Sequence, residues 1–114
     1  MGMNQLVPTA LATAHSTAAT FTTPIATVKF SDNVGVQYTW TSTTAGTVTV
    51  ELSLNPTVLG WYTYTPAGTP TQPAGSPGTG WIEIPQTTAA FVRVTYTRSA
   101  GSGAMDIWIT AKAV

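Results

Sequence analysis

From residue 34 onward, apolar and polar positions alternate in one short segment after another. Val34, Val36, Tyr38 and Trp40 share one face while Gly35, Gln37, Thr39 and Thr41 take the other, the period of two that a half-buried strand requires. Residues 47–54 repeat the pattern, with Val48, Val50, Leu52 and Leu54 inward and Thr47, Thr49, Glu51 and Ser53 outward. The intervening Ser42-Thr43-Thr44-Ala45-Gly46 has the length of a hairpin loop and a Gly for a positive φ, so the two segments predict an antiparallel hairpin. Across residues 91–98, Val92, Val94 and Tyr96 oppose Phe91, Arg93, Thr95 and Thr97. Across 105–112, Ile107, Ile109 and Ala111 oppose Asp106, Trp108, Thr110 and Lys112, and the Gly/Ser-rich stretch 99–103 turns the chain back between them. Shorter strands are predicted at 27–30, before a turn at Asp32-Asn33, at 58–64, broken or bulged at Gly60, and at 81–84, ended by Pro85.

Two stretches do not alternate. Residues 1–20 follow neither the strand nor the helix period for long and read as an extended N-terminal arm, disordered or extended in the free protein and dispensable for folding. Residues 65–80 are dominated by Pro, which removes backbone donors, and Gly, which raises chain entropy. Loops beyond about 12–15 residues are uncommon unless they bind something, so this one is expected to reach a neighbour, and its shortening to leave the melting temperature unchanged. The fold class is all-β: a single antiparallel β-sandwich, jelly-roll-like, over residues 21–114.

Charge alters the picture more than size does. The 114 residues make one domain, but only 7% are charged, against about 25% in an ordinary domain. Four basic and four acidic residues cancel to a formal net charge of zero. A free domain is usually kept dispersed by net charge, so much of this neutral, Thr-rich surface is expected to lie against other protein. Lys29, Arg93, Arg98 and Lys112 are the whole cationic supply, interspersed with Asp32, Glu51, Glu83 and Asp106, which excludes phosphate-driven nucleic-acid binding. No apolar run has the roughly 18 residues of a membrane helix. No basic stretch precedes an apolar one, so the whole chain is expected to be the mature product. Leu6 occupies the position where a myristoylation signal needs Ser or Thr, and Pro56 blocks the Asn55-Pro56-Thr57 sequon.

Candidate chemistry is thin. His15 is the one histidine and has no converging partners, the four carboxylates fall in separate segments, and Cys is absent. No phosphate loop, nucleophile elbow or zinc-spaced pair occurs. No catalytic residue, metal or cofactor is therefore assigned, and the chain is read as a non-enzyme. The candidate interface residues are apolar: Leu6, Val7 and Leu11 in the arm, Trp61, Tyr64 and Trp81 around the long loop, Pro70 and Pro73 within it, and Trp108. Aromatics at such places form sugar-binding platforms or interface anchors, although alternate members of a strand are also core. Trp61 and Tyr62 must point to opposite faces. Trp108 lies opposite Ile107 and Ile109, hence outside, and is expected to be covered by the arm or a neighbouring chain.

The run Gly46-Thr47-Val48-Thr49-Val50-Glu51-Leu52-Ser53-Leu54-Asn55, followed by Trp61, then Phe91-Val92-Arg93-Val94-Thr95-Tyr96 and Ile107-Trp108-Ile109, resembles a small β domain of tailed-bacteriophage virions, the head decoration or cement proteins. The likeness covers the last two thirds of the chain. It departs where such domains often have a tight Asp-Gly or Asn-Gly turn, since Asn55-Pro56-Thr57 stands there. The resemblance implies a virion protein on the capsid exterior, made in the host cytoplasm, that binds the major capsid protein and itself, often as a homotrimer. The alternatives are a phage tail, fibre or baseplate protein, and a carbohydrate-binding β-sandwich module.

Val48→Asp is expected to unfold the domain while Thr49→Asp is tolerated, because a buried unpaired carboxylate costs several kcal/mol against a total stability of about 5–15 kcal/mol. Urea denaturation of the two variants checks the register; equal tolerance would contradict it.

Overall fold

The computed structural model describes residues 5–29 and 31–112. Residues 1–4 of the expected arm, and Phe30 of the expected strand 27–30, lie outside the described residues. The strands are β1 (Gln5–Ser16), β2 (Phe21–Thr22), β3 (Ala26–Thr27), β4 (Asn33–Trp40), β5 (Ala45–Ser53), β6 (Tyr62–Thr63), β7 (Gly78–Ile84), β8 (Phe91–Ala100) and β9 (Ala104–Lys112), with one helical turn, α1 (Pro56–Leu59). They form two sheets. Sheet A reads β1-β9-β4-β7, and sheet B reads β2-β8-β5-β6 with β3 also on β8.

That order follows from nested antiparallel pairing. The first strand pairs with the last, β2 and β3 with β8, β4 with β7 and β5 with β6. The chain is thus one long ribbon whose tip is the α1 turn. Rolling the ribbon brings β4 beside β9 and β5 beside β8 and closes two sheets around one core, the jelly-roll winding.

The alternating residues meet between the sheets. Sheet A contributes Val34, Val36, Tyr38, Trp40, Ile82, Ile84, Met105, Ile107, Ile109 and Ala111, and sheet B contributes Val48, Val50, Val92, Val94 and Tyr96, all buried. Fully burying one such aliphatic side chain is worth about 1.5–3 kcal/mol. The two large aromatics of β4 fit because β7 supplies no side chains opposite them. Tyr38 pairs with Gly80 and Trp40 with Gly78, and a Cβ on either glycine would fall 2.3 Å or 2.6 Å from the facing ring.

Four expectations are corrected. The β4 and β5 segments have the predicted faces but are not a hairpin: β4 lies in sheet A, β5 in sheet B, and residues 41–44 arch between them. Within 99–103, Ser99 and Ala100 end β8, and residues 101–103 likewise cross from β8 in sheet B to β9 in sheet A. Alternation shows which face is buried, and both arrangements bury the same face. Leu54 was expected inward yet is 61% exposed, because β5 ends at Ser53, whose side chain is buried instead. The expected strand 58–64 is divided: only Tyr62–Thr63 form a strand, β6, and Val58 and Leu59 belong to the α1 turn. Asn55 caps it by accepting from the Val58 amide, Pro56 starts it and Gly60 ends it at φ 71°.

The arm is extended but built into the domain. β1 is the edge strand of sheet A along β9, Ala12 is buried and Leu11 packs on the core. Its register shifts between Leu6 and Thr9, Ala10 and Ala12, and Ala12 and His15, which resets the alternation each time and hides the strand from a periodicity reading. At Ala14 the backbone enters the left-handed region, φ 46°, and the freed amide donates to Asp106 Oδ1 at 2.6 Å.

The long loop is also part of the fold, and its last residues 78–80 are strand β7. Tyr64 and residues 72–75 run along the edge of β5 that the two-residue β6 leaves open. The Tyr64 amide donates to the Val50 carbonyl, the Gly46 amide to the Pro73 carbonyl and the Gly75 amide to the Thr44 carbonyl. Gln72 takes the place of a strand, its Oε1 accepting from the Val48 amide at 2.8 Å and its Nε2 donating to the Val48 carbonyl at 3.0 Å. From sheet A, the Tyr38 hydroxyl donates to the Thr71 carbonyl at 2.7 Å and Trp40 Nε1 to the Ser76 carbonyl at 2.6 Å. The loop is a strap that clips both sheets.

Replacing residues 66–76 by a short turn is therefore expected to lower the melting temperature sharply, and Gln72→Ala to lower it by several degrees, since an unmade buried hydrogen bond costs about 1–3 kcal/mol. Deleting residues 1–16 is expected to destabilise the domain by exposing the β9 edge. Calorimetric melts check all three; unchanged melts would return the strap and arm to passive roles. Burial pushes the Tyr38 hydroxyl up to about 12. An unfolded tyrosine ionises near 10, so the contribution is complete below pH 10 and lost as pH rises from 10 to 12. Urea midpoints at pH 9 and 11 should fall less for Tyr38→Phe than for the native chain. Tyr96, raised mainly by burial and opposed by Arg98, adds a loss of the same sign.

Candidate interaction surfaces

With the apolar faces turned inward, what the outer faces carry is set by the polar half of each strand. On sheet A the register aligns Ala10, Trp108, Gln37 and Trp81 in one row across β1, β9, β4 and β7. Trp108 is 47% exposed and Trp81 50%. The β1 residue beside Trp108 is Ala10, too small to cover an indole, so the arm does not provide the expected cover. The Trp81 indole lies over Gly35, where a Cβ would come within 3.1 Å of the ring, and its Nε1 donates to Glu83 Oε1 at 3.4 Å. Between the indoles, Gln37 is exposed. Two shallow depressions of about 270 Å³ each flank the row. One is lined by Trp108, Gln37, Thr39 and Asp106, the other by Trp81, Gly35, Asn33, Glu83, Thr110 and Lys112 among others.

The outer face of sheet B is already occupied. Arg93 Nε donates to Glu51 Oε1 at 2.8 Å across the β5–β8 pair, and Thr95 donates to the same oxygen. The Arg93 guanidinium sits 4.4 Å from the centre of the Trp61 ring, so Trp61 is engaged within the chain. At the ribbon tip the surface changes character. Leu54, Val58, Leu59 and Tyr62 are 61–75% exposed and form an apolar ledge around α1. Of these, only Tyr62 had entered the sequence reading as a possible surface aromatic. The legible signal was local: an Asn-Pro pair followed by Gly60 four residues later marks one helical turn, which turns successive side chains outward where a strand would alternate them.

The remaining candidates scatter. Val7 is exposed at 63% and Leu11 is half-buried against the core. The backbone of Leu6 pairs with Ala111; its side chain lies outside the described residues. Tyr64 is half-buried, with its hydroxyl donating to the Glu83 carbonyl, and shares an open groove of about 360 Å³ with Pro66, Pro70, Trp81 and Pro85. Pro73 is buried within the strap. His15 stacks on Phe21 with ring centres 3.8 Å apart. Among the described residues no three His, Asp or Glu side chains converge as a metal site, and no helix is long and apolar enough to cross a membrane.

No protein-family model matches the sequence, and no curated protein matches it. Solved structures do match the fold. The crystal structure of SPBc2 prophage-derived protein YomS aligns over 99% of this chain and 96% of its own, with a TM-score of 0.63 and 8% identity. A chain in the structure of infectious bursal disease virus, Gx strain, aligns over 97% of this chain with a TM-score of 0.62 and 12% identity, and this chain spans 32% of that one. At these identities the likeness is one of fold: a β-sandwich similar over nearly its whole length to a prophage-derived protein and to part of a virus structure.

Proposed function

We propose that this chain is a non-enzymatic structural protein of a bacteriophage virion that decorates the capsid exterior, binding the major capsid protein lattice as an oligomer, a homotrimer by the resemblance in its sequence. The observation that carries this reading is the apolar ledge. Leu54, Val58, Leu59 and Tyr62 stand exposed on a chain with only 7% charged residues, and the strap and core do not need them. Burying such side chains returns about 25 cal/mol per Å² of apolar surface, a driving force for association that, among the described residues, no neighbouring segment takes up. The similarity of fold to a prophage-derived protein and to part of a virus structure supports the viral setting.

The mechanism is avidity. An oligomer presents the ledge in several symmetry-related copies, so modest contacts act together at high effective concentration. A partner that binds only the assembled lattice stabilises that state by mass action.

Adding the protein to capsids that lack it should raise their resistance to heat, with chelator making no difference. Leu59→Glu combined with Tyr62→Ala should abolish the gain while the isolated domain melts as before, since both side chains are exposed. Capsids equally stable with and without the protein would contradict decoration, and location on the tail would favour the tail, fibre or baseplate reading.

A further inference from the structure

We infer that the outer face of sheet A is a binding site for a neutral, β-1,4-linked glycan chain, with Trp81 and Trp108 as its two stacking surfaces and Gln37 as the hydrogen-bonding group between them. The inference does not rest on the lattice reading, which uses the ledge at the ribbon tip.

Three observations carry it. First, the indoles stand on β7 and β9 with β4 between them, in the same cross-strand row. Two interstrand steps separate their backbones by about 10 Å. This is comparable with the distance between alternate rings of a β-1,4-linked chain, which present the same face. Each indole is half-exposed, and Trp81 is held down over Gly35, where no side chain lifts it from the sheet.

Second, the ground between the rings is polar. Gln37, Thr39 and Trp108 Nε1 make no side-chain hydrogen bond among the described residues. A dry apolar partner would bury that amide, hydroxyl and indole N–H unsatisfied, at a cost of about 1–3 kcal/mol for each group. A sugar ring offers C–H faces to the indoles and hydroxyls around its rim to Gln37 and Thr39, so both halves of the surface are used. Asp106 Oδ1 accepts from the Ala14 amide, and Glu83 Oε1 accepts from Trp81. Both carboxylates keep acceptor capacity at the rim for sugar hydroxyls.

Third, the centre of the face is uncharged. Asp106 stands in the depression on one side of the row, and Glu83 with Lys112 in the depression on the other, so they offer no basic cluster for an anionic polymer and no carboxylate pair for a cationic one. A neutral polymer fits that distribution.

The test is calorimetric titration of the full chain with cellohexaose and with chitohexaose, which distinguish a glucose from an N-acetylglucosamine chain, against maltohexaose, whose α-linkage curls the chain. Binding of at least one β-linked hexasaccharide in preference to maltohexaose is expected. Trp81→Ala and Trp108→Ala should each weaken it about tenfold, and the double variant should abolish it with the melting temperature unchanged. Failure of both β-linked probes to bind, or binding that survives the double variant, overturns the inference. The same variants are assayed for capsid stabilisation. If they lose it and no hexasaccharide binds, the face is a protein interface, which overturns the glycan site and leaves the lattice reading standing.

Discussion

The structure depends on how two aromatic rings are seated at one end of the sandwich. Tyr38 and Trp40 stack 5.8 Å apart on β4 and take the space left by Gly80 and Gly78 on β7. Their polar ends then reach out of the core to the carbonyls of Thr71 and Ser76. The same side chains thus fill the core and anchor the strap. Without the glycines the rings would have no room, and without the strap a buried hydroxyl and indole N–H would lack partners. Tyr96 repeats the arrangement from sheet B, donating to the Ala45 carbonyl while Gly46 leaves space beside its ring.

The strap also solves the edge problem of a rolled ribbon. An open strand edge invites pairing with another chain. β6 covers only Glu51 and Leu52 of β5, and Tyr64, Gln72 and Pro73 pair with Val50, Val48 and Gly46. On sheet A one edge is β7 and the other is β1, whose shifted register and left-handed Ala14 make it a poor template for a further strand. The β5 and β1 edges are thereby closed or blunted, and the ledge and the Trp row remain as side-chain surfaces for association.

Local pattern shows some levels of this fold and hides others. The buried faces of β4, β8 and β9 were legible because the apolar residues of each recur with a period of two over six or more residues. Partner identity was not, since a hairpin and an arch between sheets bury the same positions; hence the misplaced pairing of β4 with β5. β1 was hidden by its three register shifts. The strap was hidden because its bonds run through carbonyls and amides that composition does not describe. Among surface residues, the outward placement of Trp108 followed from alternation, while Trp81 stood out only as an aromatic beside the long loop. Their alignment in one row required the register of three strands, and Trp61 could be seen as engaged only once Arg93 was placed beside it.

A neutral, strapped sandwich with a ledge at its tip and an aromatic row on one face is suited to hold a surface and leave another face outward. The most direct measurement is imaging of the native particle at a resolution that places the chain. The account predicts density for this sandwich at symmetry-related positions on the capsid exterior, with Leu59 and Tyr62 against the lattice and Trp81 and Trp108 facing outward. Density confined to the tail, or a particle without the chain, would contradict it.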